Sequence, residues 1–129
     1  MCGLTSMSIP ELAGLMEELG QPKFRARQVF EWISRGKRPR EMTNLPKELR
    51  DKLDTLHYGG ASIYDKRVSA KDGTIKYLFQ LEDGNIVEGV LMSYHYGNTM
   101  CISTQVGCRM GCRFCASTQA GRVHDLTAG

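Results

Sequence analysis

The spacing of apolar residues along this chain changes once, at Gly59–Gly60, and that change limits what the chain can fold into. Before it, apolar residues recur every three or four positions, the period of an amphipathic helix. After it they alternate, the period of a half-buried strand. Upstream, Ser8 and Glu11 have capping-box spacing with Pro10 in the tolerant first turn, and Leu12, Leu15, Met16 and Leu19 follow until Gly20. A second helix opens after Pro22, carries Ala26, Val29, Phe30 and Ile33 on one stripe, and stops at Gly36. A third starts at "TNLPKEL", where Thr43 or Asn44 can cap, with a stripe of Leu45, Leu49, Leu53 and Leu56. The expected result is a compact three-helix domain over residues 1–58, with Trp32 serving packing.

Downstream, "TIKYLFQL" places Ile75, Tyr77, Phe79 and Leu81 on one face. "ASIYDKRVS", "NIVEGVLMSY" and "TMCIST" also read as strands, separated by the turn signals "KDG", "EDG" and "YGN". A four-stranded antiparallel meander follows, its domain set at residues 59–93, and the fold class is α+β. One residue breaks the pattern. Glu88 interrupts a strand with Ile86, Val90 and Met92 on one side and Val87 and Leu91 on the other. A carboxylate there sits at a wet edge, or is buried with a partner or a proton to handle.

The net charge of +3 is unevenly spread. Between Gln21 and Leu53 ten basic residues, from Lys23 to Lys52, face four acidic ones, a local excess of +6. Such a patch can hold phosphates whatever the overall balance, or it can be a solvated helix face. No apolar run approaches the length that crosses a bilayer, and "MCGLTSMSIPELAG" lacks the basic start and apolar stretch of a signal peptide. The expected compartment is the cytoplasm, with no membrane contact.

The five cysteines are Cys2, Cys101, Cys108, Cys112 and Cys115. Cys2, beside the initiator, reads as incidental. The last three form C-x3-C-x2-C after a strand, with Gly107 and Gly111 letting the backbone wrap, so their sulfurs can curl around one object. Structural zinc wants four ligands, and the later candidate is His124. Three thiolates suit instead a four-iron cluster with one iron open to a small molecule. Cys101 can be a small apolar filler in its strand.

C-x3-C-x2-C with an aromatic residue before the last cysteine, here Phe114, resembles the signature of the radical S-adenosylmethionine enzymes. "MCISTQVGCRMGCRFCASTQAG" is similar to the core of the RlmN-type adenine methyltransferases, and "KFRARQVFEWI" and "MTNLPKELR" resemble that family's helical accessory domain.

The resemblance implies methylation of carbon 2 of an adenine in ribosomal RNA and transfer RNA. It implies a [4Fe-4S] cluster held by Cys108, Cys112 and Cys115, S-adenosylmethionine bound there beside Phe114, Glu88 as the proton acceptor, and Cys101 as the cysteine that resolves a covalent enzyme–RNA intermediate with formation of a disulfide. Carbon 2 of adenine is electron-poor, which is why the family's route is radical, with the hard chemistry carried by the cofactor. The basic helices from Lys23 to Lys52 become an RNA-docking surface. Family members continue into a barrel and a segment bearing the methylated cysteine. Residues 94–129 are therefore expected to begin a truncated radical-SAM α/β barrel with its first strand and cluster loop. On this reading the chain is the N-terminal part of such an enzyme, inactive alone and inclined to self-associate through an exposed strand edge. Three other readings stand beside it: a non-catalytic RNA-binding module, a structural protein in which the three cysteines and His124 hold zinc, and a relative acting at carbon 8 of adenine.

Overall fold

A computed structural model describes residues 3–129, so Cys2 lies outside the described residues. The chain divides into two compact units, one running to Gly60 and including Thr127–Gly129, the other Ala61–Leu126.

The first unit holds three helices, α1 (Ile9–Glu18), α2 (Arg25–Ser34) and α3 (Lys47–Asp54). The Glu11 carboxylate accepts the Ser8 backbone N–H at 2.7 Å and its hydroxyl at 2.6 Å, which fixes the start of α1 and lowers the Glu11 pKa. The core is the predicted set Leu12, Met16, Ala26, Val29, Ile33, Leu49 and Leu53. Leu4, Met42 and Leu45 join it from outside the helices. Trp32 packs partly against this core while its indole N–H donates to Asn44 Oδ1 at 2.6 Å. That bond corrects the expected cap: Pro46 takes the N-cap position of α3, because the Asn44 side chain serves the indole instead. α3 also stops at Asp54, which leaves Leu56 exposed.

The second unit is a meander of β1 (Ala61–Val68), β2 (Ile75–Leu81), β3 (Ile86–Tyr94) and β4 (Gly97–Ile102), paired antiparallel in sequence order. A separate two-stranded antiparallel sheet, β5 (Gln105–Gly107) with β6 (Arg122–Asp125), follows. The α+β class holds. Among the described residues both sheets are antiparallel, so no barrel start is shown, and the strands on either side of residue 93 belong to one sheet. No helix among the described residues is long and apolar enough to cross a membrane.

Candidate functional site

Residues paired directly across antiparallel strands share a face, so the register sorts the meander. One face carries Ile75, Tyr77, Phe79, Val87, Leu91, Met100 and Ile102, with Tyr77 and Phe79 stacked at 5.7 Å. The opposite face carries Arg67, Lys76, Val90 and Cys101 in one row, and Asp65, Leu78 and Glu88 in the next. Glu88 and Cys101 are thus diagonal neighbours on the polar face. Glu88 lies on the inner strand β3, neither at an edge nor buried, and Lys76 Nζ lies 2.6 Å from its Oε1. Ser103, just after β4, donates its hydroxyl to the Glu88 carbonyl at 2.8 Å. That bond ties the Glu88 backbone to the segment joining Cys101 to the cysteine loop. Arg67 pairs with Asp65 at 3.1 Å and lowers the Asp65 pKa.

The cysteine loop is closed at its base by β5 and β6. Val106 is buried, and Gly107 takes φ +70° at a point where a Cβ would overlap the Gly121 carbonyl oxygen. Beyond it, Cys108 N–H donates to Gly121 O at 3.1 Å and Cys115 N–H to Cys112 O at 3.1 Å, with Gly111 also at positive φ. A 3₁₀ turn, Ala116–Thr118, completes the loop, and Thr118 Oγ1 accepts the Gly111 N–H. Cys101 and Cys112 are exposed, Cys108 and Cys115 half-buried, and all four are free thiols. Phe114 is 94% exposed.

Among the described residues no three His, Cys, Asp or Glu side chains converge on a point where a metal could sit. The loop backbone is in place and its sulfurs are not gathered. The donor set still fits an iron–sulfur cluster by its chemistry, three free thiols on one short loop. His124 does not complete a zinc site. Its Nε2 lies 2.5 Å from Asp83 Oδ2, its Nδ1 lies 2.9 Å from the Asp125 carbonyl, and these contacts raise its pKa, the Asp125 carbonyl foremost.

Of these residues, Lys76, Ser103 and Thr118 escape the sequence reading. Lys76 could have been found, since the "EDG" turn fixes the β2–β3 register and places a lysine diagonal to Glu88. Thr118 carries no such signal.

In the first unit, Lys23, Lys37 and Arg40 pair with Glu17, Glu41 and Asp54. Arg27, Arg35, Lys47 and Lys52 are exposed. Two arginines sit over aromatic rings, Arg38 at 4.4 Å from the centre of Tyr58 and Arg25 at 5.4 Å from that of Phe24. Burial raises the Tyr58 pKa, and its hydroxyl donates to the Lys37 carbonyl at 2.9 Å.

Residues 2–58 match the model of the ribosomal RNA large subunit methyltransferase N-terminal domain. The chain is 52% identical over 128 residues to a probable dual-specificity RNA methyltransferase RlmN of Alkaliphilus oremlandii, covering 98% of this chain and 37% of that protein. A protein of the same description from Clostridium acetobutylicum is 52% identical over 121 residues, covering 92% of this chain and 35% of its own length. The crystal structure of a radical SAM methyltransferase from Sphaerobacter thermophilus superposes with a TM-score of 0.88 at 39% identity, over 100% of this chain and 39% of that one. Over nearly its whole length the chain is similar to proteins described as RlmN-type RNA methyltransferases, and it spans little more than a third of the length of the curated relatives it matches.

Proposed function

We propose that this chain supplies the RNA-docking domain and the first part of the active site of an enzyme that methylates carbon 2 of adenine in ribosomal RNA and transfer RNA. The observation that carries the reading is the single compact unit that bears Glu88 and Cys101 on one sheet face and the C-x3-C-x2-C loop a few residues further on.

Cys108, Cys112 and Cys115 hold the [4Fe-4S] cluster, and Phe114 borders the S-adenosylmethionine site. When bound, cluster and cofactor supply the radical chemistry that an electron-poor carbon requires. Glu88 takes the proton that leaves the base once the new carbon–carbon bond has formed, held by Lys76 and exposed enough to meet a substrate. Cys101, exposed on the edge strand β4, attacks as a thiolate the sulfur of the cysteine whose carbon is joined to the product; an S–S bond forms as the S–C bond breaks, and the carbon keeps that electron pair and takes a proton to become the methyl group, so the RNA leaves with a disulfide left behind. The exposed basic residues of the helical unit hold the phosphates, and an adenine in a loop or opened helix is presented to the site.

The test joins this chain to the remainder of the Alkaliphilus oremlandii relative and supplies S-adenosylmethionine, a reductant and both RNAs. Nucleoside mass spectrometry is expected to find 2-methyladenosine. Glu88→Gln lowers the yield rate by about 10²–10⁴-fold, and Cys101→Ala leaves protein attached to RNA. Methylation at carbon 8, or full activity in Glu88→Gln, contradicts the reading.

A further inference from the structure

The cysteine loop contains a hydroxyl that the proposed chemistry does not use. Thr118 Oγ1 accepts the Gly111 N–H at 2.7 Å and donates to the Cys108 carbonyl at 3.2 Å, so both functions of the group are spent inside the loop. The Thr118 backbone is tied in as well: its N–H donates to the Cys115 carbonyl at 3.4 Å, and its carbonyl accepts the Gly121 N–H at 3.1 Å. Each of the three cysteines is therefore connected to Thr118, Cys108 through its carbonyl, Cys112 through the preceding Gly111, and Cys115 through the 3₁₀ turn. Residues 108–115 carry no helix or strand. Gly111 at the loop's far side is exposed and at positive φ, a backbone with wide freedom unless something fixes it. Ordering a free backbone opposes binding, and a loop held in shape beforehand does not add that cost.

We infer that Thr118 is a positioning residue for a thiolate-held iron–sulfur cluster, its hydroxyl keeping the loop backbone in shape before iron arrives. The inference rests on the reading of Cys108, Cys112 and Cys115 as ligands. Thr118 lies three residues past the last of them and acts through the Cys108 carbonyl and the Gly111 amide.

The experiment uses this chain, with Thr118→Val, Thr118→Ser and Thr118→Ala beside it. Two quantities are read: amide hydrogen exchange of Gly111 in the iron-free chain, and iron per chain with the visible spectrum after anaerobic addition of iron and sulfide. Thr118→Val is expected to speed Gly111 exchange at least tenfold and to cut bound iron at least by half. Thr118→Ser, which keeps the hydroxyl, restores both. Should the valine variant fold poorly, serine against alanine isolates the hydroxyl. Unchanged Gly111 exchange in Val and Ala overturns the latch. Faster exchange with undiminished iron overturns the positioning role alone. A wild-type chain that takes up no iron overturns the ligand reading, and the role of Thr118 with it.

Discussion

Lys76 reaches diagonally from β2 to Glu88 on β3, ammonium to carboxylate at 2.6 Å, on the sheet face that also bears Cys101. Both side chains are about half exposed, at 45% and 56%. A pair in that setting contributes about 0.2–1 kcal/mol, so its value to the protein is orientation rather than stability. Lys76→Met is expected to lower unfolding free energy by less than about 1 kcal/mol in urea. A loss of several kcal/mol would mean that the pair is desolvated and structural.

The opposite expectation holds at Gly107. Any side chain there meets the Gly121 carbonyl and must adopt a left-handed backbone, two penalties that cannot be relieved by rotating a side chain. Gly107→Ala should cost about 1–3 kcal/mol or more and remove the cross-strand NMR contacts between Val106 and His124. Retained pairing with unchanged stability contradicts the geometry.

His124 and Asp83 tie β6 to the β2–β3 turn and give that tie a pH dependence. The His124 pKa is raised, so its contribution is complete below the ordinary histidine value of about 6.5 and fades as pH rises through the raised one. The Asp83 pKa is lowered, first by the Asn85 backbone N–H, so its contribution is complete above the ordinary aspartate value of about 3.9 and fades as pH falls through the lowered one. The difference in Tm between wild type and His124→Gln should therefore be largest between about pH 4 and 6.5 and shrink toward pH 9. A difference that grows with pH contradicts this.

RNA binding by the helical unit should follow counterion release. Arg27, Arg35 and Lys47 are exposed, and replacing all three with Gln is expected to weaken affinity and flatten the plot of log affinity against log salt by about 0.7 for each phosphate no longer neutralised on single strands. Filter binding over a salt series checks it. An unchanged slope would place the RNA elsewhere.

Periodicity made the helices and the meander legible, because Leu12, Met16, Val29, Leu49 and Leu53 repeat at the helical period and Tyr77 and Phe79 at the strand period. Leu4 and Met42 were not legible. They are buried by non-repeating segments, Leu4 through backbone pairing with His57 and Met42 beside the turn Pro39–Glu41, where no period exists to be read. Asn44 misled for a related reason, since a capping residue and an indole acceptor have the same side chain and only the packed position of Trp32 decides between them. At the candidate site the cysteines stood out by spacing, and Glu88 by breaking an apolar strand. The β5–β6 pairing and the Thr118 latch were hidden, because three-residue strands and a single hydroxyl leave no pattern.

The most direct measurement is anaerobic reconstitution of this chain with iron and sulfide, alongside Cys112→Ala, followed by iron analysis and the visible spectrum. The expected result is a brown protein with about four irons per chain, both colour and iron being lost in the variant. Equal iron in both proteins, or none in either, would contradict the claim that Cys108, Cys112 and Cys115 form a cluster site in this chain.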